Sequence, residues 1–338
     1  MDRRTLLIGS TGAFLSACTT PAPSPPLAGE DVRVASVDAD VQLLLHHKPA
    51  QPAPRPARTL LLVHGLTYPG SASFDLPLGG RSWMDHLARR GFDVWSVDIR
   101  GYGGSTRPSA MDQPPESNPP QVDATAGAAD VAAAADFIRR RNGVDWIDVV
   151  GWSWGTVLAA RFAAAHPQAV GRLVLYAPVW RWPGGTLPRA PAGAYRKVTT
   201  EAARRTWLNG VPAAAQANLI PAGWFEQWAS ANWATDPIGA RAEPPVLRAP
   251  NGPLVEVVQA WRDGQVLFDA AAIRARTLVV VGEWDSTTPP QMARELHATL
   301  ARSTDASFAL IPEGTHQVFL ERNRELLFAV VQEFLERA

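Results

Sequence analysis

Short apolar runs recur along this chain, with helical patterns between them. Thr59-Leu60-Leu61-Leu62-Val63, Val94-Trp95-Ser96-Val97-Asp98, Trp146-Ile147-Asp148-Val149-Val150, Arg172-Leu173-Val174-Leu175-Tyr176-Ala177 and Thr277-Leu278-Val279-Val280-Val281-Gly282 predict strands. Phe308-Ala309-Leu310-Ile311 is another, followed by a loop and a C-terminal helix. Trp83 to Arg90 reads as a helix capped by Ser82 and ended by Gly91. Asp123 to Arg141 is a long Ala-rich helix ended by Asn142-Gly143, and Thr156 to His166 is a helix stopped by Pro167. Strands alternating with helices from 59 to 178 predict a parallel sheet with crossover helices. Val32 to His47 alternates well enough for one or two strands ahead of it. From about 180 to 270 the pattern changes, with little strand signal and many Trp and Pro residues. Trp180, Trp182, Trp207, Trp224, Trp228, Trp233 and Trp261 all fall there, and Trp224 and Trp228, four apart, share a helix face. A helical insertion into an α/β core is expected.

The 338 residues can bury a large core, as one domain with an insertion or as two. The formal net charge is zero, and no basic run could track a phosphate backbone, so nucleic acid is not an expected partner. No Cys/His cluster or His-Glu-x-x-His suggests a metal, and no G-x-G-x-x-G follows a strand, so no cofactor is expected. Arg100-Gly101-Tyr102-Gly103-Gly104 is Gly-rich but reads as a loop after a strand, not as a nucleotide cradle.

The N-terminus reads as an address. Arg3-Arg4 precedes an apolar run from Leu6 to Ala17 that is too short to span a bilayer and has signal-peptide proportions. Leu15-Ser16-Ala17-Cys18 resembles a bacterial lipoprotein box, in which the cysteine becomes the lipidated first residue, and Cys18 is the only cysteine. Membrane attachment through Cys18 on the periplasmic or outer-membrane side is the expectation, and Arg3-Arg4 also resembles a twin-arginine export signal. With a single cysteine there is no intrachain disulfide, so stability must come from the core. A Pro-rich tether follows the leader.

Gly151-Trp152-Ser153-Trp154-Gly155 reads G-x-S-x-G between a predicted strand and a predicted helix. A strand turning sharply into a helix pushes the central side chain out of the sheet, which makes Ser153 the candidate nucleophile. A serine needs a base, and the base an orienting acid. Of seven histidines, His316 lies on a loop after a strand, where it could reach over a strand-end nucleophile. The acid is expected between the two in chain order, where the clearest strand ends in Glu283-Trp284-Asp285. Asp285 fits best and Glu283 competes. The expected oxyanion donors are the backbone N–H of Trp154, at a helix N-terminus, and of Leu66, in the loop after Val63. His64 reads as a residue shaping that loop. Trp152, Trp154, Trp180 and Tyr68 are the pocket candidates.

Across residues 58 to 338 the chain resembles the α/β-hydrolase superfamily. The resemblance rests on His64-Gly65, Asp98-Ile99-Arg100-Gly101-Tyr102-Gly103-Gly104-Ser105, the Gly-Trp-Ser-Trp-Gly pentad, Gly282-Glu283-Trp284-Asp285 and Gly314-Thr315-His316, in that order. It implies a mostly parallel central sheet flanked by helices, and a triad of Ser153, His316 and Asp285. The segment 180–270 resembles the superfamily's cap. The expected layout is a leader at 1–18, a tether at 19–31, core at 32–180, a helical cap at 181–272 and core again at 273–338. Serine at the elbow sets the chain apart from epoxide hydrolases and haloalkane dehalogenases, which use Asp there. Trp154 after the serine is similar to the proline iminopeptidase branch, but that branch shows His-Gly-Gly-Pro-Gly where this chain has His64-Gly65-Leu66-Thr67-Tyr68-Pro69-Gly70. The leading expectation is hydrolysis of a small carboxylic ester in an apolar or aromatic pocket. The alternative is an aminopeptidase on small peptides, using an acid among Glu201, Glu226, Asp236, Glu243 and Glu256. A C–C bond hydrolase or lactonase and a catalytically silent, anchored binding protein complete the range.

Overall fold

The N-terminal alternation resolves into two strands. In the computed structural model, which describes residues 25–52 and 58–337, β1 (Glu30–Ala35) pairs antiparallel with β2 (Gln42–Lys48), Val32 facing Leu45 and Val34 facing Leu43. The leader, Cys18 and the first part of the tether lie outside the described residues. β3 (Arg58–Val63) and β4 (Phe92–Asp98) follow, then β5 (Ile147–Trp152) and β6 (Val170–Tyr176), each in place of a predicted run. β7 (Tyr195–Thr199) and β8 (Val246–Pro250) stand apart as an antiparallel pair, and β9 (Arg276–Gly282) and β10 (Ala306–Ile311) close the series. The main sheet has the order β1-β2-β4-β3-β5-β6-β9-β10, and all of its pairings from β4 onward are parallel.

Ten helices frame it: α1 (Gly70–Phe74), α2 (Trp83–Ala88), α3 (Ala124–Asn142), α4 (Trp154–Ala165), α5 (Thr200–Trp207), α6 (Ala213–Leu219), α7 (Trp224–Ala234), α8 (Gly252–Arg262), α9 (Pro290–Leu300) and α10 (Arg324–Glu336), counted among the described residues. Successive residues of a strand point to opposite faces. In β3, Leu61 and Val63 therefore join a core with α3, α4 and α9, while Leu60 and Leu62 join a second core with α2 and α10. Ser82 and Gly143 cap as expected, and Asp123, read as the first helical residue, is the N-cap of α3. Ser82 forms a reciprocal capping box with Asp85, Asp123 accepts from the Ala126 N–H, and Gly143 ends α3 with a left-handed φ of 64°.

The insertion differs from the expectation of a purely helical segment. Between β6 and β9 the chain forms α5 to α8, but also the β7–β8 pair, Tyr195 facing Pro250 and Thr199 facing Val246. Both strands are short and carry Arg or Lys, and their partners lie far apart in sequence, so local apolar periodicity gave no sign of them.

Candidate active site

β5 ends at Trp152 and α4 begins at Trp154, so Ser153 alone makes the turn between them. It sits at φ 57°, ψ −124°, a region that an L-residue occupies only under strain. The flanking glycines permit the tight turn. A Cβ on Gly151 would lie 2.4 Å from the Gly155 carbonyl oxygen, and one on Gly155 would lie 2.3 Å from the Val63 carbonyl oxygen. The turn is pinned from both sides: the Ser153 N–H donates to the Tyr176 carbonyl at 2.9 Å, and the Thr156 hydroxyl donates to the Ser153 carbonyl at 2.6 Å.

The ends of β9 and β10 bring in the other two groups. Asp285 is buried just beyond β9, and its Oδ1 accepts from the Thr287 and Thr288 backbone N–H groups at 2.9 and 2.8 Å. Its Oδ2 accepts from the Thr288 hydroxyl at 3.0 Å and lies 2.8 Å from His316 Nδ1. Glu283 is exposed and accepts instead from the Glu313 N–H at 3.0 Å, so Asp285 is the carboxylate on the imidazole. The His316 carbonyl accepts from Trp152 Nε1 and from the Tyr176 hydroxyl, both at 2.9 Å, which ties the loop to the ends of β5 and β6. With Nδ1 on Asp285, Nε2 is the nitrogen left for chemistry.

Ser153 and His316 line one cavity of about 530 Å³. Tyr68 and Trp152 line it from the core side, and Val198, Ala202, Thr206, Leu254 and Trp261 from the segment between β6 and β9. Two aromatic expectations need correction. Trp180 does not line the cavity: it packs into the core against Phe268, ring centroids 5.0 Å apart, and Trp182 lines the cavity instead. The Trp154 ring is fully buried near Gly127 and Leu158 and does not line the cavity, so what Trp154 has to offer is its backbone N–H. That N–H opens α4 and so has no intrahelical acceptor.

A family model described as alpha/beta hydrolase fold matches residues 58–323. The chain belongs to this family. Solved structures resemble it over most of its length. A hydrolase from Pseudomonas aeruginosa PA01 is 20% identical, with 92% of this chain and 100% of that one covered at a TM-score of 0.61. A thermophilic esterase from Thermogutta terrifontis is 19% identical, with 90% and 98% covered at 0.56. A meta-cleavage product hydrolase from Pseudomonas fluorescens IP01 is 14% identical, with 90% and 96% covered at 0.60. Likeness at such identities speaks for the fold.

In this alpha/beta hydrolase the loop after β3 is held by His64, Tyr102 and Arg196, of which only Arg196 lies outside the motifs. His64 is buried, and the Ile99 N–H donates to its Nε2 at 3.0 Å. Nδ1 therefore carries the proton and donates to the Gly65 carbonyl at 2.7 Å. Burial also lowers the His64 pKa, so the ring is neutral and shapes the loop. The Leu66 carbonyl accepts from the Tyr102 hydroxyl and from Arg196, both at 2.9 Å. Tyr102 comes from the Gly-rich loop after β4, which gives that loop a structural purpose. Arg196 comes from β7.

Glu321 is a second group outside the motifs. It is fully buried, accepts from Trp207 Nε1 of α5 at 2.8 Å and from the Thr315 N–H at 3.1 Å, and also bonds the Thr315 hydroxyl. It thus joins α5 to the residue before His316. Burial pushes its pKa from the ordinary 4.5 up to about 7. Between those values the folded protein keeps a proton that the unfolded chain has lost, so stability falls as pH rises through the window, by up to about 3 kcal/mol. Urea unfolding at pH 5 and pH 8 is expected to show a smaller decline for Glu321→Gln than for the parent. Asp148, pushed up to about 6, contributes with the same sign in both proteins and cancels. Equal declines would remove Glu321 as a source.

Proposed function

We propose that this alpha/beta hydrolase is a serine esterase that cleaves a carboxylic ester through an acyl-enzyme on Ser153. One observation carries the reading: Ser153, on a strained strand-to-helix turn, opens onto the same cavity as His316, whose Nδ1 is bonded to Asp285. Ser153 Oγ attacks the acyl carbonyl while His316 Nε2 takes its proton. Asp285 orients the imidazole and stabilises the imidazolium. The Leu66 and Trp154 N–H groups bind the oxyanion. His316 then protonates the departing alkoxide, and water repeats the sequence on the acyl-enzyme to release a carboxylic acid. The segment from 181 to 272 acts as the cap, and Trp182 and Trp261 with Tyr68 and Trp152 give the pocket its aromatic walls. Export by the leader and attachment through Cys18 would place this chemistry at a membrane surface. Among the described residues no helix is long and apolar enough to cross a membrane.

The aminopeptidase alternative requires a carboxylate for the substrate's free amine. None of the described residues lining the cavity is Asp or Glu. Of the acids considered, Glu201 pairs with Arg205, Glu226 with Arg204 and Asp236 with Arg248. Glu256 accepts from the Ala124 N–H at the start of α3, and Glu243 is exposed. The test is one plate of rates for the protein and its Ser153→Ala variant, on p-nitrophenyl esters of increasing acyl length and on aminoacyl naphthylamides including proline. Serine-dependent ester cleavage with an optimum acyl length is expected. Serine-dependent amide cleavage that needs a free amine would replace this reading with the peptidase one.

A further inference from the structure

Arg196 faces the cavity without a counter-charge. It is half-buried on β7 and lines the same space as Ser153 and His316. One terminal nitrogen, Nη1, donates to the Pro250 carbonyl at 2.7 Å. The other, Nη2, donates to the Leu66 carbonyl at 2.9 Å and to the Thr67 hydroxyl at 2.8 Å. All three acceptors are neutral. A guanidinium has five N–H donors, so two are left over, and Nε–H is one of them. Among the described residues no carboxylate lies within ion-pair distance of Arg196, whereas Arg248 of β8 is paired with Asp236 at 2.7 Å. Lys197 also lines the cavity, and no acid does.

A charge withdrawn from water is costly unless it is paired. Neutral donors would hold the Leu66 and Thr67 oxygens equally well, so loop support alone does not account for a guanidinium here. A positive group inside a low-dielectric cleft also concentrates anions there. We infer that Arg196 is an anion-recognising group and that the ester this cavity takes carries a carboxylate apart from its scissile bond. The inference rests on the esterase reading and adds the substrate class. The carboxylate would take the free N–H groups of Arg196 as charge-assisted hydrogen bonds, and the aromatic walls would hold the apolar chain between it and the acyl carbon.

The test compares esters matched in size and differing in charge. p-Nitrophenyl hemiadipate and p-nitrophenyl hexanoate place the difference on the acyl side, and 4-acetoxybenzoate and 4-acetoxybenzamide place it on the leaving-group side. The protein is expected to favour the anionic member of at least one pair in kcat/KM. Arg196→Met is expected to cut that preference by about tenfold to a hundredfold, chiefly through KM, and Arg196→Lys to keep much of it. Arg196→Met should slow the neutral esters as well, because the oxyanion loop loses a support, so the ratio is the readout. No anionic preference in either pair, or an equal loss on both members in Arg196→Met, would overturn the inference while leaving the esterase reading standing.

A binding measurement separates the two failures. In Ser153→Ala protein, quenching of the cavity tryptophans by monomethyl adipate should saturate at lower concentration than quenching by dimethyl adipate. Adding Arg196→Met should abolish the difference. This holds whether or not turnover is seen, so absent hydrolysis with charge-selective binding would sink only the esterase reading. Equal binding of the two adipates would sink the anion site.

Discussion

Ser153→Gly is expected to give a protein that is more stable than the parent and inactive. The two effects share one cause. At φ 57°, ψ −124° the serine backbone is strained, a penalty of about 1–3 kcal/mol for an L-residue. Glycine adopts that region freely, and its extra entropy in the unfolded chain costs about 0.5–1 kcal/mol. The net gain expected in a urea titration is about 1 kcal/mol. Ser153→Ala keeps the Cβ and the strain, so its stability should stay within about 0.5 kcal/mol of the parent. Both variants remove the nucleophile and should lower kcat for ester hydrolysis by on the order of 10⁶. A glycine variant no more stable than the alanine variant would show that the turn stores no strain. An alanine variant that keeps most of its activity would remove Ser153 from the mechanism.

Asp285→Asn should lower kcat by about 10⁴ with little change in KM, because the surrounding donors decide how the new amide must lie. The Thr287 and Thr288 backbone N–H groups both point at Oδ1. An amide nitrogen there would set donor against donor, so the asparagine oxygen has to stay on them. The NH₂ group then takes the place of Oδ2 and donates to His316 Nδ1, which the carboxylate now meets at 2.8 Å. The ring proton moves to Nε2, and that nitrogen can no longer accept the serine proton. Steady-state rates across pH, with nitrophenyl esters, measure the loss. A drop of less than tenfold would mean that the Asp285–His316 bond does not set the tautomer.

Much of the framework was readable from short-range pattern. The runs around Leu61, Val97, Val150, Val174 and Val280 became the five central parallel strands, and Ser82, Asp123 and Gly143 took the capping positions their identities suggest. These signals are local: a side chain acts on its own backbone or on neighbours within a turn or two. Ser153 and Asp285 were legible for the same reason, since each sits where a strongly apolar strand gives way to turn residues. Trp180 was misplaced because nearness to the elbow in sequence does not say whether an indole points into the core or into the cavity. The β7–β8 pair was missed because its two halves are joined only by contact across the intervening chain.

What the sequence alone determined was the class of fold, the order of its elements and the candidate nucleophile, base and acid. Each depends on hydrophobic period, on turn chemistry or on order along the chain. Only the tertiary structure decided which carboxylate meets His316, which aromatic rings wall the cavity, and that Tyr102, Arg196 and Glu321 support the loops around Ser153. Those assignments depend on groups from separate strands and helices arriving within hydrogen-bond distance. A hydrogen bond is lost within an ångström of misplacement, and no local pattern encodes the closing of the chain to that tolerance.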